Sequence, residues 1–203
     1  MISGLILAAG SSARLGRPKQ LLDLGGKPVL EHVVDAALAS ALDEVVVVLG
    51  HRAEEIRSAV PEDERVRVVE NPEHERGQST SLAAGLRSLG PESEAAVVLL
   101  GDQPGTAPAA VAAVVAAYRD GLGPVVQASY GGRPAHPTLL ARRVWAEVVA
   151  ETAGDEGARS VLAARPEWRA LVEVGGAPPD DIDTETDYER VRRAFEQPVN
   201  PGS

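Results

Sequence analysis

Short runs of apolar residues alternate along this chain with longer segments in which apolar positions recur every three or four residues. The short runs are continuous, as expected for strands buried on both faces, and VVVVL is the clearest of them. The longer segments have the spacing of amphipathic helices. The pattern predicts strands at 2–9, 45–49, 66–69, 95–100, 124–129, 137–140 and 170–174, and helices at 28–41, 52–60, 77–89, 107–118, 142–151, 156–164 and 185–195.

Strands that alternate with helices are typical of βαβ units, which pair their strands in parallel. The sequence therefore indicates an α/β fold in which a mostly parallel central sheet is flanked by helices. We expect a single domain over residues 1–196, with 121–176 as a candidate added lobe. The last residues, 197–203, are rich in Pro, Gly and Asn and predict a flexible tail.

Several helix ends carry capping signals. Pro28 suits the first position of its helix, where a missing N–H costs nothing. Ser79 or Thr80 is available as an N-cap for the helix that follows Gly77. Thr184 and Asp187 have the spacing of a reciprocal capping pair at the start of the last helix.

Composition and charge exclude several classes of protein. The 203 residues include no cysteine, which rules out disulfide scaffolds, thiolate metal sites and cysteine nucleophiles. A net charge of −10 argues against nucleic acid polymers and anionic membranes as partners. Aromatic residues make up 3% of the chain, too few for a platform that stacks single-stranded nucleic acid.

Membrane and export signals are also not expected. The longest weakly apolar stretch, 107–118, has about half the length that a membrane span needs. The apolar residues 1–10 have no basic region before them, and a polar loop follows them where a cleavage site would stand. These features predict a cytoplasmic protein.

The loop after the first predicted strand has the residues of an anion-binding loop. Ligands of open parallel sheets bind beyond the carboxyl ends of the strands. Residues 10–19 combine glycine and serine, which let backbone N–H groups approach an anion, with Arg14, Arg17 and Lys19. With Lys27, the second of two lysines, we expect four cations to focus positive potential at one mouth. The spacing fits neither GxGxxG nor GxxxxGK[ST], and an ordinary polar loop is the alternative.

Carboxylates follow two other predicted strands. Asp102 stands between a glycine and a proline turn, and a carboxylate there suits Mg²⁺, which takes one or two carboxylates together with substrate phosphates. Asp183 alternates with Ile182, would face the same way as Asp181, and is a candidate second ligand. The structural alternatives are a turn-forming role for Asp102 and helix capping for the acidic residues near Asp183.

Two more segments are candidates for ligand contact. Residues 75–81, which include Gln78 and Ser81, open a helix whose free N–H groups and hydroxyls could meet phosphate, ribose or base; simple capping is the alternative. The loop 132–137 carries one histidine, and a lone histidine is more often structural than catalytic. The chain contains no histidine pair with zinc-site spacing and no GxSxG motif, which argues against a zinc enzyme and a serine hydrolase.

Residues 7–19 (LAAGSSARLGRPK) resemble the LAAGxSxR[ML]GxxK signature of nucleotidyltransferases. Three further segments narrow the resemblance to the molybdopterin nucleotidyltransferase-like family: GDQP at 101–104, GRPAHP at 132–137 and DIDTETDY at 181–188. Within that family the chain most resembles the molybdenum cofactor cytidylyltransferases. The four motifs occur in the family's order, with only small departures from its pattern.

The resemblance implies a Rossmann-like fold and transfer of a nucleoside monophosphate from an NTP to a phosphate acceptor, with release of pyrophosphate. The positions that match the family's nucleotide contacts are Leu7, Ala8, Ala9, Gly10, Ser12, Arg14, Lys19, Gln78 and Ser81. The same resemblance implies that Arg14, Lys19 and Asp102 are catalytic. It also implies that Asp102 and Asp183 would hold Mg²⁺.

The resemblance also suggests both substrates. The AAG form of the first loop goes with CTP and a GG form with GTP, so Ala8 and Ala9 favour CTP; their β-carbons would fill space that a purine needs. Arg133 and His136, and the segment 121–176, would lie on the side of a small phosphorylated acceptor. That acceptor is expected to be molybdopterin or the molybdenum cofactor, with a molybdoenzyme as recipient of the product.

Several alternatives remain open at this point. The same chemistry could use GTP, or act on methylerythritol phosphate, a sugar phosphate or phospholactate. A molybdenum cofactor carrier or insertion chaperone would bind similar molecules without turnover.

Overall fold

The computed structural model describes residues 1–152, 154 and 158–196. Its main feature is a seven-stranded sheet of strand order β5-β4-β1-β6-β8-β7-β9. The strands are β1 (Ile2–Leu7), β4 (Glu44–Leu49), β5 (Val66–Glu70), β6 (Ala95–Leu100), β7 (Val125–Tyr130), β8 (Arg133–Ala141) and β9 (Arg169–Glu173). Strand β8 runs antiparallel to β6 and β7, and the other pairings are parallel. The expected α/β fold with a mostly parallel sheet is confirmed.

Helices cover both faces of this sheet. They are α1 (Val29–Leu38), α2 (Ala53–Ile56), α3 (Gln78–Ser88), α4 (Pro108–Arg119), α5 (Arg142–Glu151), α6 (Arg159–Ala164) and α7 (Glu185–Glu196). Apolar residues of α1, α2 and α4 pack on one face. Those of α3, α5 and α6 pack on the other. Strands β1, β4 and β6 are buried on both faces, which explains their continuous runs of Val, Leu and Ala.

A third, smaller apolar cluster joins the start of the chain to its last helix. A two-stranded hairpin, β2 (Asp23–Leu24) and β3 (Lys27–Pro28), contributes Leu24, which is fully buried against Ile182 and Tyr188. The Tyr188 hydroxyl donates a hydrogen bond to the Asp23 carbonyl at 2.6 Å. This cluster brings the segment before α7 to the carboxyl ends of β1 and β6.

The helix ends correct two of the expectations. Helix α3 has Gly77, with φ of 107°, at its N-cap, so neither Ser79 nor Thr80 caps it; a positive φ is a conformation that glycine adopts without strain. Pro28 is likewise the N-cap of α1 rather than its first helical residue. The hairpin at 23–28 was not expected, because strands of two residues have no measurable periodicity.

The segment 121–176 continues the main sheet, since its strand β8 pairs with β6. The expected tail, 197–203, and the first residues of the helix expected at 156–164 lie outside the described residues. Among the residues that the structure describes, no helix is long and apolar enough to cross a membrane.

Candidate active site at the strand ends

The loop after β1 places Lys19 by a local hydrogen-bonded turn. Ser12 has φ of 53°, and its carbonyl accepts the N–H groups of Leu15 and Gly16. Its hydroxyl oxygen accepts the backbone N–H of Lys19 at 3.1 Å. Ser12 therefore shapes the loop and fixes the backbone from which the Lys19 side chain extends.

The Lys19 ammonium joins two carboxylates that are far apart in the sequence. It donates to Asp102 Oδ2 at 2.5 Å and to Asp183 Oδ1 at 2.8 Å. The Lys19 and Asp102 side chains are only 12% and 19% exposed. Burial alone would lower the pKa of Lys19, but the charges and hydrogen bonds of the two carboxylates outweigh it, so the pKa is raised above its ordinary value.

Asp183 reaches this position because the residue before it is anchored. The Ile182 side chain is fully buried in the third apolar cluster, and its N–H donates to the Asp102 carbonyl at 3.2 Å. Asp187 accepts the Thr184 N–H at 2.9 Å, and its own N–H donates to the Thr184 hydroxyl at 3.2 Å. The expected capping pair is confirmed, and it holds Asp183 at the entrance to α7.

Asp181 adds a third carboxyl group beside this pair. It accepts a hydrogen bond from Gln103 Nε2 at 2.7 Å. Partial burial raises the pKa of Asp181, and the charges of Asp102 and Asp183 add to this against the Gln103 bond. The expectation that Asp181 and Asp183 face the same way is confirmed, because both line the same cavity.

The four cations expected at one mouth do not all face it. Lys27 pairs with Glu31 and Asp35 on the exposed side of α1. Arg17 pairs with Glu185 at 2.9 Å, also at the surface. The prediction that four cations face one mouth is therefore wrong, because carboxylates of nearby helices pair with two of them.

Arg14 lies at the edge of the site. Its guanidinium is 3.5 Å from the Asp183 carboxylate, and its side chain is 74% exposed. Like Ser12, it does not line the cavities described next. Lys19 and Arg14 are thus the two cations of the expected four that approach the carboxylates.

A cavity of about 570 Å³, here called cavity A, opens beside Lys19 and Asp102. Its wall includes the end of β1, the start of α3 and the loop ends after β4 and β6. The expected nucleotide contacts found on this wall are Leu7, Ala8, Ala9, Gly10, Lys19, Gln78 and Ser81. The strand ends and a helix N-terminus thus converge on one space, an arrangement suited to anions.

Cavity A also has contacts that the sequence did not reveal. Gln20, His51 and His74 line it, and the two imidazole rings lie 6.0 Å apart. Gln20 is 2% exposed and donates from Nε2 to the Ala8 carbonyl at 3.0 Å. A single glutamine after the lysine carries no distinctive signal, and the histidines come from separate loops.

Ser81 is held in place by Asn71, another residue without a sequence signal. Asn71 is 3% exposed and donates to the Ser81 hydroxyl oxygen at 3.0 Å. This leaves the Ser81 O–H available as a donor. Ser81 lines cavity A, a position that favours ligand contact over helix capping alone.

The β-carbons of Ala8 and Ala9 face neighbouring glycines. A β-carbon added to Gly101 would lie 2.8 Å from that of Ala8, and one on Gly50 would lie 2.8 Å from that of Ala9. The two alanines are 3% and 6% exposed. Most of each methyl group therefore fills space between strand ends, and the steric exclusion of a purine that was suggested for them is not supported.

A second cavity of about 460 Å³, here called cavity B, adjoins the first. Asp102, Leu7, Leu100 and Gln78 line both cavities. His136 lines cavity B, and its Nδ1 lies 3.2 Å from the Val98 carbonyl oxygen. Burial lowers the pKa of His136, which favours a neutral ring.

The polar wall of cavity B differs from the expectation. Arg133 lies at the exposed end of β8 and is not on this wall, because the β7–β8 turn carries it away. Arg159 and Arg169 lie there instead. These two arginines were not predicted as site residues, because nothing in the sequence distinguishes arginines in α6 and β9 from ordinary surface residues.

Two buried oxygen atoms of cavity B residues lack a hydrogen-bond partner among the described residues. They are Gln127 Oε1 and Thr138 Oγ1, which belong to directly paired positions of β7 and β8. Such atoms cost free energy, so native proteins rarely keep them without a reason. They are candidates for contacts with a bound molecule.

The carboxylates fit a divalent cation only with help from a substrate. Within the described residues, no group of three or more His, Cys, Asp or Glu side chains could hold a metal ion. Asp102 and Asp183 offer two oxygens that converge on one cationic atom. Mg²⁺ in proteins takes such a pair together with phosphate oxygens and water.

Comparison with known proteins gives a consistent picture. The family model of the MobA-like NTP transferase domain matches residues 4–171. Nicotine blue oxidoreductase from Paenarthrobacter nicotinovorans is 30% identical over 192 residues, which cover 90% of this chain and 92% of that protein.

Solved structures agree with this match. Rv0371c from Mycobacterium tuberculosis H37Rv superposes with a TM-score of 0.83 at 33% identity, covering 95% of this chain and 97% of its own. A structure of the same protein complexed with manganese gives 0.80 at 30% identity, covering 95% and 98%. A nucleotidyl transferase from Methanothermobacter gives 0.80 at 27% identity, covering 97% and 98%. The chain, with its two cavities meeting at the strand ends, belongs to the family of MobA-like NTP transferase domains, a family of nucleotidyltransferases.

Proposed function

We propose that the protein transfers CMP from CTP to the phosphate of molybdopterin or the molybdenum cofactor, releasing pyrophosphate. The observation that carries this proposal is the junction of cavities A and B at Asp102, beside the Lys19 ammonium. Two substrates bound in adjoining cavities would bring their reacting atoms together there. Holding both reactants in place accounts for a large part of the acceleration of such reactions.

Cavity A suits the nucleoside triphosphate. Its volume lies within the range of small-molecule sites, and Gly10, Lys19 and the N-terminus of α3 supply donors for phosphates. Gln78 and Ser81 would contact the base or ribose. We favour CTP because the loop has the AAG form.

Charge at the junction supports a requirement for a divalent cation. The carboxylates of Asp102 and Asp183 pair with two cations, Lys19 and Arg14, and Asp181 adds a third carboxylate beside them. A triphosphate would add several further negative charges. Mg²⁺ at Asp102 and Asp183 would supply the neutralising charge, and the manganese complex of Rv0371c is consistent with divalent metal use.

The chemical step needs no side-chain nucleophile. A phosphate oxygen of the acceptor attacks the α-phosphorus of CTP, the bond from that phosphorus to the bridging oxygen of the β-phosphate breaks, and pyrophosphate leaves. Lys19 and Arg14 would stabilise the charge on the departing pyrophosphate. Lysine does this as a compact point charge and arginine by paired hydrogen bonds.

Cavity B suits an acceptor with a polar body and negative charge. Arg159 and Arg169 provide positive charge, and Gln127 and Thr138 provide hydrogen-bond acceptors. His136, kept neutral by burial, would contact the acceptor rather than serve as a fixed cation. The expected cytoplasmic location and delivery of the product to a molybdoenzyme belong to this proposal.

The test measures pyrophosphate release from CTP, with Mg²⁺ and molybdenum cofactor released anaerobically from a molybdoenzyme. We expect release to depend on all three, and Lys19→Ala to lower turnover by about 100-fold, the scale of a lost transition-state donor. Lys27→Ala, at the other lysine, should stay within twofold of wild type. A loss below threefold in Lys19→Ala contradicts its role.

Other nucleotides and acceptors enter as further arms of this assay. Activity with GTP in place of CTP would keep the reaction and overturn the base assignment. Activity only with methylerythritol phosphate, a sugar phosphate or phospholactate would change the acceptor. Binding of the molybdenum cofactor without pyrophosphate release from any nucleotide would favour a carrier.

The similarity to nicotine blue oxidoreductase over nearly the whole chain favours one second candidate, an oxidation–reduction reaction, for which NADPH serves as the probe. The loop after β1 lacks the GxGxxG spacing of dinucleotide sites. Thermal shift assays with NADPH and with CTP and Mg²⁺ separate the two. Ligand at 100 times its Kd adds about 2.7 kcal/mol, or roughly 5–10 °C for a domain of this size.

A further inference from the structure

Lys19 contacts both carboxylates that would hold a divalent cation. Its ammonium is 2.5 Å from Asp102 Oδ2 and 2.8 Å from Asp183 Oδ1. An ammonium and a metal ion that share these two carboxylates repel each other at short range. Occupation of the pair by one therefore disfavours the other.

We propose that Lys19 acts as an internal cation that blocks the Asp102–Asp183 pair until the phosphates of a nucleotide draw its ammonium away. Metal and nucleotide then bind as a coupled pair, and neither binds well alone. The inference rests on the proposed nucleotide site in cavity A, but it does not depend on the identity of the acceptor or on turnover.

The exchange keeps every charge paired in both arrangements. Breaking a largely buried ion pair by removing one partner is costly, because a charge remains without compensation. Lys19 lines cavity A, so its flexible four-carbon stem can carry the ammonium from the carboxylates to a phosphate in that cavity. The metal would then neutralise the charge of the two carboxylates, and the metal and the Lys19 ammonium together would neutralise the charge of the phosphates.

Of the other cations near the site, Arg159 and Arg169 line cavity B without an ion pair to Asp102 or Asp183 among the described residues. Arg14 is 3.5 Å from Asp183 but 74% exposed, so it compensates that carboxylate only weakly. Asp181 adds negative charge, but its carboxyl group is bound to Gln103. With no cluster of three metal ligands within the described chain, the site depends on phosphate oxygens to complete the coordination.

The chain offers a matched control for this arrangement. Lys27 also bridges two carboxylates, with Nζ 3.2 Å from Glu31 and 2.7 Å from Asp35, but on the open surface of α1. Removing it takes away the same charge from the protein without freeing Asp102 or Asp183. The comparison therefore separates a local block from a general effect of net charge.

The experiment titrates Mn²⁺ into protein without nucleotide and follows free Mn²⁺ by its paramagnetic resonance signal. We expect Lys19→Met to bind Mn²⁺ at least tenfold more tightly than wild type. Lys19→Arg, which keeps the charge, should stay within threefold of wild type, and so should Lys27→Met. The double variant Lys19→Met/Asp183→Asn should lose the gain.

A second titration measures the coupling to nucleotide. With CTP present, and after correction for Mn²⁺ bound by free CTP, the affinity of wild type should rise at least tenfold. In Lys19→Met the rise should be less than threefold, because the block is already absent. By linkage, Mn²⁺ must change the affinity for CTP by the same factor in each protein.

Two results would overturn the inference. One is a Kd for Mn²⁺ in Lys19→Met within threefold of wild type, in a variant whose urea unfolding remains cooperative. The other is a gain in affinity that persists when Asp183→Asn is added, because the metal would then lie elsewhere. Neither titration contains an acceptor, so failure of the transfer reaction would be seen separately, as absent pyrophosphate release.

Discussion

Thr138 holds a buried hydroxyl that its own fold does not use. The residue is 4% exposed in β8, and Oγ1 has no hydrogen-bond partner in the part of the chain that the structure describes. We predict that Thr138→Val raises the free energy of unfolding while it weakens binding of the acceptor in cavity B.

The magnitude follows from two contributions. An unsatisfied buried polar group costs about 1–3 kcal/mol, and the substitution removes that cost. A buried methyl group adds about 0.8 kcal/mol of hydrophobic stabilisation, reduced where the fit is imperfect. Valine keeps the β-branched shape that suits a strand. The net expectation is a stabilisation of about 1–4 kcal/mol, the lower end applying where imperfect packing cancels the methyl contribution.

Urea unfolding at pH 7 measures this difference, and Thr106→Val is the matched control. Thr106 is also 4% exposed, but its hydroxyl donates to the Gln103 carbonyl at 2.9 Å. Loss of that bond should destabilise the protein by about 1 kcal/mol. Because the added methyl group offsets part of this loss, Thr106→Val should be neutral to destabilised, whereas the equally buried Thr138→Val should be stabilised.

The functional arm uses the pyrophosphate assay with varied molybdenum cofactor concentration. Thr138→Val should raise the KM for the acceptor and leave the KM for CTP within twofold, because Thr138 lines cavity B and not cavity A. The reasoning is refuted if Thr138→Val is destabilised by more than 0.5 kcal/mol, a margin about half that of a typical hydrogen bond. An unchanged KM for the acceptor would refute the role of Thr138 in binding.

Three further predictions concern stability. Because Asp181 has a raised pKa, its ionised form is disfavoured in the fold, so Asp181→Asn should be more stable than wild type at pH 7, with the gain disappearing below its ordinary value of 3.8. Burial lowers the pKa of His136, so the neutral ring stabilises the fold above pH 6.5, and this stabilisation is lost as the pH falls through the folded pKa. Wild type should therefore lose more stability than His136→Gln on acidification from pH 7.5 to 5. A β-carbon on Gly85 would lie 2.3 Å from Leu5 Cδ1 in the core, so Gly85→Ala should destabilise by about 1–3 kcal/mol.

Urea titrations at a series of pH values check the first two of these predictions, and a single titration at pH 7 checks the third. An Asp181→Asn variant less stable than wild type at pH 7 would contradict the assigned cost of ionisation. Parallel pH profiles for wild type and His136→Gln would contradict the buried neutral ring. A Gly85→Ala variant as stable as wild type would show that Leu5 can move aside.

The regular elements could be predicted because their signal is local. The run at β4 must be buried on both faces whatever lies next to it, and the periods of α4 and α5 are visible within a dozen residues. The loop from Gly10 to Lys19 was identified because its small residues and cations follow a strand directly. The hairpin at 23–28 was missed because it is too short to show a pattern.

The composition of the site depended on contacts between distant parts of the chain. Lys19 and Lys27 were both expected at one mouth, but one meets Asp102, 83 residues away, and the other meets neighbouring residues of α1. Arg133 was favoured over Arg169 because it lies in a motif, whereas the sheet places Arg169 on cavity B. The periodicity of a helix or strand shows which of its faces is buried, but it does not show which residues of other elements a side chain will contact.

The sequence by itself determined the alternation of strands and helices, the loop of small residues and cations after β1 and the family resemblance, because each depends on residues close together in the chain. The tertiary structure decided which charges share a site. Burial of Ile182 against Leu24 and Tyr188 brings Asp183 to Lys19 across 164 residues. Long-range apolar packing, and not local pattern, therefore brings the second carboxylate to Lys19.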